Sequence, residues 1–405
     1  MEEWKEYKLG ELADIQTGPF GSQLHQHDYV DAGTPCIMPT NIGSHLDIQS
    51  DRIAHVKAED VMRLSKHCVK TGDIIYSRRG DIEKCAFIRP QEEGWLCGTG
   101  CLRIRTNSQK ANSHFIAYQL STKECKKWIV GNAVGTTMLN LNSGILKELP
   151  LYMPNRQIQD SVVAILKSLD DKIEVNRKIN ENLEQQAQAL FESWFVDFEP
   201  FKNGEFVKSE LGMIPMGWRL KRIYEYIDVI YGAPYKSSLF NDNKEGLPLI
   251  RIRDLKTNTP QFYTPEILPN TEYVEAGDIV AGMDAEFTPY VWRGEKGVLN
   301  QRCCKFKGKY EGISNYFILF LIKPELEYVQ SYKTGTTVSH LGKSDIDRFV
   351  FLTPPLDVVL DFSEIVNPII KEVVNRAKES RRLAELRDTL LPKLMSGELK
   401  VNEVA

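Results

Sequence analysis

The residues with the types and spacing for chemistry are few and poorly grouped. Thr353-Pro354-Pro355-Leu356 is the nearest approach to the Asn/Asp-Pro-Pro-aromatic motif that presents an adenine amino group for methylation, but it lacks both the amide or carboxylate and the ring. Its counterpart, Met153-Pro154-Asn155-Arg156, lacks them as well. Both lie where a strand gives way to a helix, and proline's fixed φ serves there as a helix-start signal. Gly98-Thr99-Gly100 has no third glycine and no Rossmann context, and no Gly-x-x-x-x-Gly-Lys phosphate loop occurs. A metal-dependent nuclease needs clustered carboxylates beside a lysine. Glu124-Cys125-Lys126 has the local spacing, but it falls on a surface helix with no upstream partner, where a solvated face is the simpler reading.

Metal ligation fares no better. His25-Gln26-His27 offers two ligands with no third in sequence reach. Among the eight cysteines, Cys97 and Cys101 are four apart and Cys303 and Cys304 adjacent, so no Cys-x-x-Cys spacing suits zinc. Reduced, mostly buried thiols are expected. The residues therefore point to a chain with no catalytic site, no metal and no cofactor of its own.

The elements that position the remaining polar residues occur twice. Trp4 opens the first half and Trp218 the second. Pro35-Cys36-Ile37 and Asn41-Ile42 match Pro248-Leu249-Ile250 and Asp254-Leu255. Gly72-Asp73-Ile74-Ile75 matches Gly277-Asp278-Ile279-Val280, and Gly135-Thr136-Thr137 matches Gly335-Thr336-Thr337. The offset shrinks along each half and then stays at 200, pairing Pro154 with Pro354, Ile165 with Ile365, Leu183 with Leu383 and Leu190 with Leu390. Loop-bearing domains drift in length, whereas a helix that must keep register does not. Each half reads as a length-variable globular domain followed by a length-fixed helix.

The helices carry a heptad-like pattern. Leu166, Leu169, Ile173, Asn176, Asn180, Leu183, Ala187, Leu190 and Trp194 alternate at steps of three and four. Val366, Ile369, Val373, Arg376, Ser380, Leu383, Arg387, Leu390 and Leu394 take the same places in the second copy. Such a seam packs helix on helix, and its polar members trade stability for one register. Antiparallel pairing of the two copies is the simplest way to join the halves. Ile370, Val374, Ala377 and Ala384 widen the apolar face, either beneath the globular domains or as a dock for another protein's helices. Within the domains, strands are expected after the two Gly-Asp turns and at Phe349-Val350-Phe351-Leu352. A helix is expected over 113–129, with a related one starting near Tyr316.

At 405 residues, 42% hydrophobic and 26% charged, the chain can hold two or three domains with full cores. No apolar run approaches the roughly 20 residues that span a bilayer, and the start shows no signal peptide, so a cytoplasmic protein is expected. A net charge of −4 and a pI near 6.1 argue against a basic DNA-coating protein, while leaving room for site-specific binding through local patches.

In its order and duplication, the chain resembles the specificity subunits of type I restriction-modification systems. The resemblance rests on Gly72-Asp73-Ile74-Ile75-Tyr76-Ser77-Arg78-Arg79-Gly80, Thr17-Gly18-Pro19-Phe20-Gly21-Ser22, the two Gly-Thr-Thr segments, Leu390-Leu391-Pro392-Lys393-Leu394-Met395-Ser396-Gly397-Glu398-Leu399, and its copy around Leu190-Phe191-Glu192-Ser193-Trp194-Phe195. It covers essentially the whole chain. It implies an α+β fold of two globular target-recognition domains of mixed α/β structure, each followed by a long helix, the helices pairing as an antiparallel coiled coil with a pseudo-twofold repeat. The domains fall at residues 1–154 and 218–354, the central helix at 155–200, a connector at 201–217 and the C-terminal helix and tail at 355–405. The partners it implies are double-stranded DNA, two methyltransferase subunits that carry S-adenosylmethionine, and an endonuclease/translocase subunit that uses ATP and magnesium. No membrane is implied.

Arginine reads guanine, asparagine and glutamine read adenine, and lysine, hydroxyl and backbone groups hold phosphate. On that chemistry the DNA-binding candidates are Ser22, Asn41, Ser77, Arg78, Arg79, Thr136 and Thr137 in the first domain. In the second they are Tyr231, Lys236, Arg251, Arg253, Asp254, Thr336 and Thr337. Helix pairing or partner docking is assigned to Leu166, Leu169, Ile173, Leu183, Leu190, Ile369, Val373, Leu383 and Leu390. Two other classes stand beside this reading: a self-sufficient methyltransferase or nuclease with degenerate motifs, and a DNA-binding regulator or scaffold dimerising through its helices. The empty catalytic search weighs against the first. The divergence of the halves weighs against the second, because dimeric repressors read symmetric sites.

Overall fold

The structure is a computed structural model, and it describes residues 4–135, 139–333 and 339–403. It divides into two units, residues 1–171 with 384–405, and residues 172–383. No helix among the described residues is long and apolar enough to cross a membrane.

In the first unit a four-stranded sheet contains β1 (Ala13–Thr17), β2 (Ile74–Ser77), β3 (Cys85–Phe87) and β4 (Cys101–Thr106), in the order β1-β4-β2-β3. All its pairings are antiparallel. The Gly-Asp turn before β2 is built as its residues dictate. Gly72 takes φ +90°, and the Asp73 carboxylate accepts from the Lys70 amide and from Arg105. A second sheet of short strands includes Thr34–Ile37 beside Leu96–Cys97 in parallel. The strand at Lys5–Lys8 pairs with Pro150–Met153, which leads into the long helix α1 (Arg156–Phe195).

The second unit repeats this plan. Strands β5 (Ile227–Tyr231), β6 (Ile279–Gly282), β7 (Pro289–Val291) and β8 (Cys303–Gly308) take the order β5-β8-β6-β7. Leu247–Ile250 runs parallel to Gly297–Leu299, and Arg219–Arg222 pairs with Val350–Thr353 ahead of helix α2 (Leu356–Ser396). One glycine recurs with the same purpose in both units. A Cβ at Gly18 would lie 2.1 Å from the Gly98 carbonyl oxygen, and one at Gly232 lies 2.2 Å from that of Asn300. Only glycine lets the segment after β1 or β5 pass that close.

Helix pairing is visible inside each unit. In the first, Leu166 of α1 shares a core with Leu390, Leu391, Leu394 and Met395 of α2. In the second, Ala187 and Phe191 of α1 share one with Phe362, Val366 and Ile370 of α2. Contacts that move up one helix move down the other: Asp170 meets Arg387, Asn176 meets Glu379 and Arg376, Asn180 meets Val373, and Phe195 meets Phe362. The pairing is antiparallel. The polar seam positions are bonded rather than merely tolerated. The Asn176 amide donates to Glu379 Oε2 at 2.7 Å, and that of Asn180 donates to the Val373 carbonyl at 3.1 Å. Ile370 is buried in the second unit's core, and Val374 lines a recess with Gly277 and Asn315. At these positions the globular domain covers the widened face.

One expectation changes. The segment over 113–129 forms two helices, Ser113–Leu120 and Lys123–Asn132. The Thr122 hydroxyl explains the break, because it donates to the Gln119 carbonyl and accepts from the Cys125 amide, capping the second helix. The related helix in the other unit runs unbroken over Asn315–Lys333.

Two consequences are measurable. Arg387, with a side chain only 7% exposed, donates to Asp170, to Asp388 and to the His45 ring, while Tyr118 donates to the other Asp170 oxygen. Arg387→Ala strands that carboxylate and should cost about 3 kcal/mol, read as a lower urea midpoint. His114 stacks on Phe87, with centroids 3.6 Å apart, and burial together with the nearby Lys167 charge pulls its pKa from 6.5 to about 4. The unfolded chain therefore takes up this proton before the folded one. Stability should fall as pH drops from 6.5 towards about 4, and His114→Phe should flatten that fall in thermal melts.

Candidate nucleic-acid interface

In each unit the end of the two central strands gathers groups that can meet a nucleic acid. In the first unit the Arg78 amide donates to the Gly100 carbonyl across β2 and β4, and the Arg78 carbonyl accepts from Leu141. This pins the backbone where the side chains of Arg78 and Arg79 emerge. The Arg78 guanidinium lies 5.8 Å from the ring centre of Phe20, which is 54% exposed on the loop that Gly18 allows. Arg79 is exposed, and among the described residues neither guanidinium has a carboxylate partner. Two adjacent unpaired cations beside an open aromatic ring suit phosphate, a base edge or a stacked base. Ser22 is exposed on the same loop.

The backbone bonds locate the matching place in the second unit. The Met283 amide donates to the Arg302 carbonyl, and Leu341 donates to Met283, as Leu141 does to Arg78. Isolated bridges join Arg79 to Asn140 and Asp284 to His340. Position 79 thus corresponds to Asp284, 140 to His340 and 100 to Arg302. Asp284 accepts from Arg302 Nη1 and pairs with His340 Nδ1 at 2.7 Å. Partial burial raises the Asp284 carboxyl, but these two partners outweigh it and leave it below the ordinary carboxylate value.

Several sequence candidates prove to be scaffolding. Asn41 is buried, its side chain accepting from the Met38 amide and donating to the Gln49 carbonyl. Asp254 is fully buried and accepts from the Arg251 and Gln261 amides. Both close the turn that follows an inner strand, so neither is available to a base. Ser77 is fully buried, and its hydroxyl donates to the Arg79 carbonyl, which shapes the arginine turn from behind. Arg251 pairs with Asp254 and covers Phe262, the cation lying 4.4 Å from the ring centre. Tyr231 is half-buried at the end of β5. Lys236 is exposed beside Glu266, and Arg253 is exposed with no ion-pair partner among the described residues. Thr136, Thr137, Thr336 and Thr337 lie outside the described residues.

The assigned helix positions sit on the covered side of α1 and α2. Leu166 and Val373 are fully buried; Leu169, Ile173, Leu183 and Leu190 of α1, and Ile369, Leu383 and Leu390 of α2, are half-buried. Sequence reasoning missed Phe20, Arg302 and His340. Arg302 faces a glycine in the repeat and His340 an asparagine, so the similarity of the halves gave no signal for either. The cysteines offer no reactive centre. Burial raises every thiol's pKa, that of Cys36 to about 12.

The model of the type I restriction modification DNA specificity domain matches residues 1–185 and 215–379. The chain is 26% identical, over 99% of its length and 95% of the relative's, to the type I restriction enzyme MjaIX specificity subunit of Methanocaldococcus jannaschii. It is 23% identical, over 98% of its length and all of the relative's, to the HindI specificity subunit of Haemophilus influenzae. In fold it is similar to the crystal structure of a type I restriction-modification S subunit from M. genitalium, with a TM-score of 0.56, 16% identity, and coverage of 97% and 96% of the two chains.

The division between scaffold and surface is testable. Asn41→Ala should cost about 1–3 kcal/mol of stability by leaving buried backbone groups unpaired. Arg79→Ala should leave the melting temperature unchanged and weaken DNA binding, measured by fluorescence anisotropy.

Proposed function

The chain belongs to the family of type I restriction-modification DNA specificity subunits, and from that membership we propose how it works. Each domain reads one half of an asymmetric, bipartite DNA site. The paired helices set the spacer between the halves and dock two methyltransferase subunits. The observation that carries this reading is the strand-end site, present once in each unit on the same backbone with different side chains. Arg78 and Arg79 stand in the first, and Asp284, Arg302 and His340 in the second. Equivalent frames with different donors and acceptors suit two different half-sites.

Docking on the helices follows from the family membership, and the fixed length of the two helix copies suits it. The chain itself performs no catalysis in this scheme. S-adenosylmethionine belongs to the methyltransferase subunits, and ATP with magnesium to an endonuclease/translocase subunit. The protein's own work is to choose the sequence and place the partners on it.

Long-read methylation mapping tests this directly, comparing a strain that carries the chain and its methyltransferase partner with one lacking only the chain. One split, asymmetric motif should gain methyladenine when the chain is present. An unchanged methylation pattern with an active partner and expressed chain would contradict the proposal.

A further inference from the structure

We propose that Arg302, held in place by Asp284 and His340, is the guanine-reading group of the second domain, with the arginine supplied from the opposite strand to its counterpart in the first. The inference rests on the proposed function and adds which group reads and what it reads. In the first unit the cations come from the end of β2, at Arg78 and Arg79, and the facing residue across β4 is Gly100. In the second unit the end of β6 carries Met283 and Asp284, and the facing residue is Arg302. The cation has changed strands while the site has kept its place.

Three features fit Arg302 for reading a base rather than anchoring a phosphate. Its backbone is fixed on both sides, since its amide donates to Asn300 Oδ1 at 3.2 Å and its carbonyl accepts from Met283 at 2.8 Å. Its guanidinium is oriented yet open: Nη1 donates to Asp284, whose side chain is only 13% exposed, while the arginine side chain is 60% exposed. Among the described residues the Nε and Nη2 donors have no protein partner, which leaves them for the O6 and N7 acceptors of guanine, a match that needs a planar fork. Finally, the carboxylate largely cancels the arginine's charge. A nearly neutral, pre-oriented donor set contributes little to the salt-dependent attraction that phosphate contacts supply, but it loses little rotamer freedom on meeting a base. His340, on the other side of Asp284 at 2.7 Å, holds the carboxylate to one position. Asp284 and His340 are positioning residues in this arrangement.

The experiment uses the chain in complex with its methyltransferase partner and a DNA library randomised across both half-sites, with binding measured at two salt concentrations. Arg302→Ala should lose the preference for guanine at one position of the second half-site by roughly ten- to a hundredfold. Its reading of the first half-site and its salt dependence should stay as they were, while its melting temperature falls modestly because the mostly buried Asp284 carboxylate loses a partner. Arg302→Lys should fail to restore the preference, because an ammonium lacks the fork. An unchanged preference at every position would overturn the inference. So would a loss spread evenly over the library with a salt slope smaller by about one, the mark of a phosphate contact. If the unaltered complex preferred no bases in either half, the proposed function itself would fail; a first half-site read normally separates the two failures.

Discussion

Two antiparallel helices keep a buried seam only if neither gains or loses a residue between the points where they touch. Asn176 against Glu379, Asn180 against the Val373 carbonyl, and Arg387 against Asp170 are such points. Each is a buried or half-buried polar group whose partner must be in register, and an unmet partner costs more than the bond returns. Apolar seams slide more cheaply than this one. The same constraint explains the unequal freedom of the chain: the globular domains carry insertions and deletions between the two halves, whereas the stretch from Pro154 and Pro354 onward keeps a step of 200.

A net charge of −4 is compatible with DNA recognition because charge is allocated locally. On α1, Lys167 meets Asp171 and Arg177 meets Glu174 and Glu181, so much of that helix's charge is neutralised on its own surface. Arg78 and Arg79 have no such acidic partner among the described residues. Arg302 does, in Asp284, and that pairing changes its character from a charge to a directed set of donors. The two units keep the same backbone bonds at this place while their side chains differ. Buried Ser77 bonds the arginine turn, and buried Asn41 and Asp254 close the turns that follow the inner strands.

The helices were legible because their period is physical: a residue every three or four positions must be covered, and Leu166, Val366 and Val373 are. The strands after Gly72-Asp73 and Gly277-Asp278 were legible because those pairs specify a turn whatever follows. The break at Thr122 was not, since a threonine hydroxyl either caps a new helix or rides within one, and the apolar pattern runs through both. Asn41 and Asp254 were matched correctly as a repeated pair but given the wrong task. A short polar side chain just after a strand has the same sequence signature whether it turns inward to the backbone or outward to a ligand. Arg302 was hidden for a different reason. Repeat comparison finds positions that stayed alike, and Arg302 faces Gly100 in the repeat, a position that did not.

In the proposed function reading and spacing are separate tasks, the first belonging to the domains and the second to the seam. Inserting four residues in each helix, between Asn176 and Asn180 of α1 and between Val373 and Arg376 of α2, lengthens both by about 6 Å and keeps the seam partners on either side in register, leaving both strand-end sites untouched. Methylation mapping of that variant with its partner is the most direct test. Both half-sites should be unchanged and the spacer between them altered. A change in the bases of either half-site would show that the helices take part in reading, and would contradict that separation of tasks.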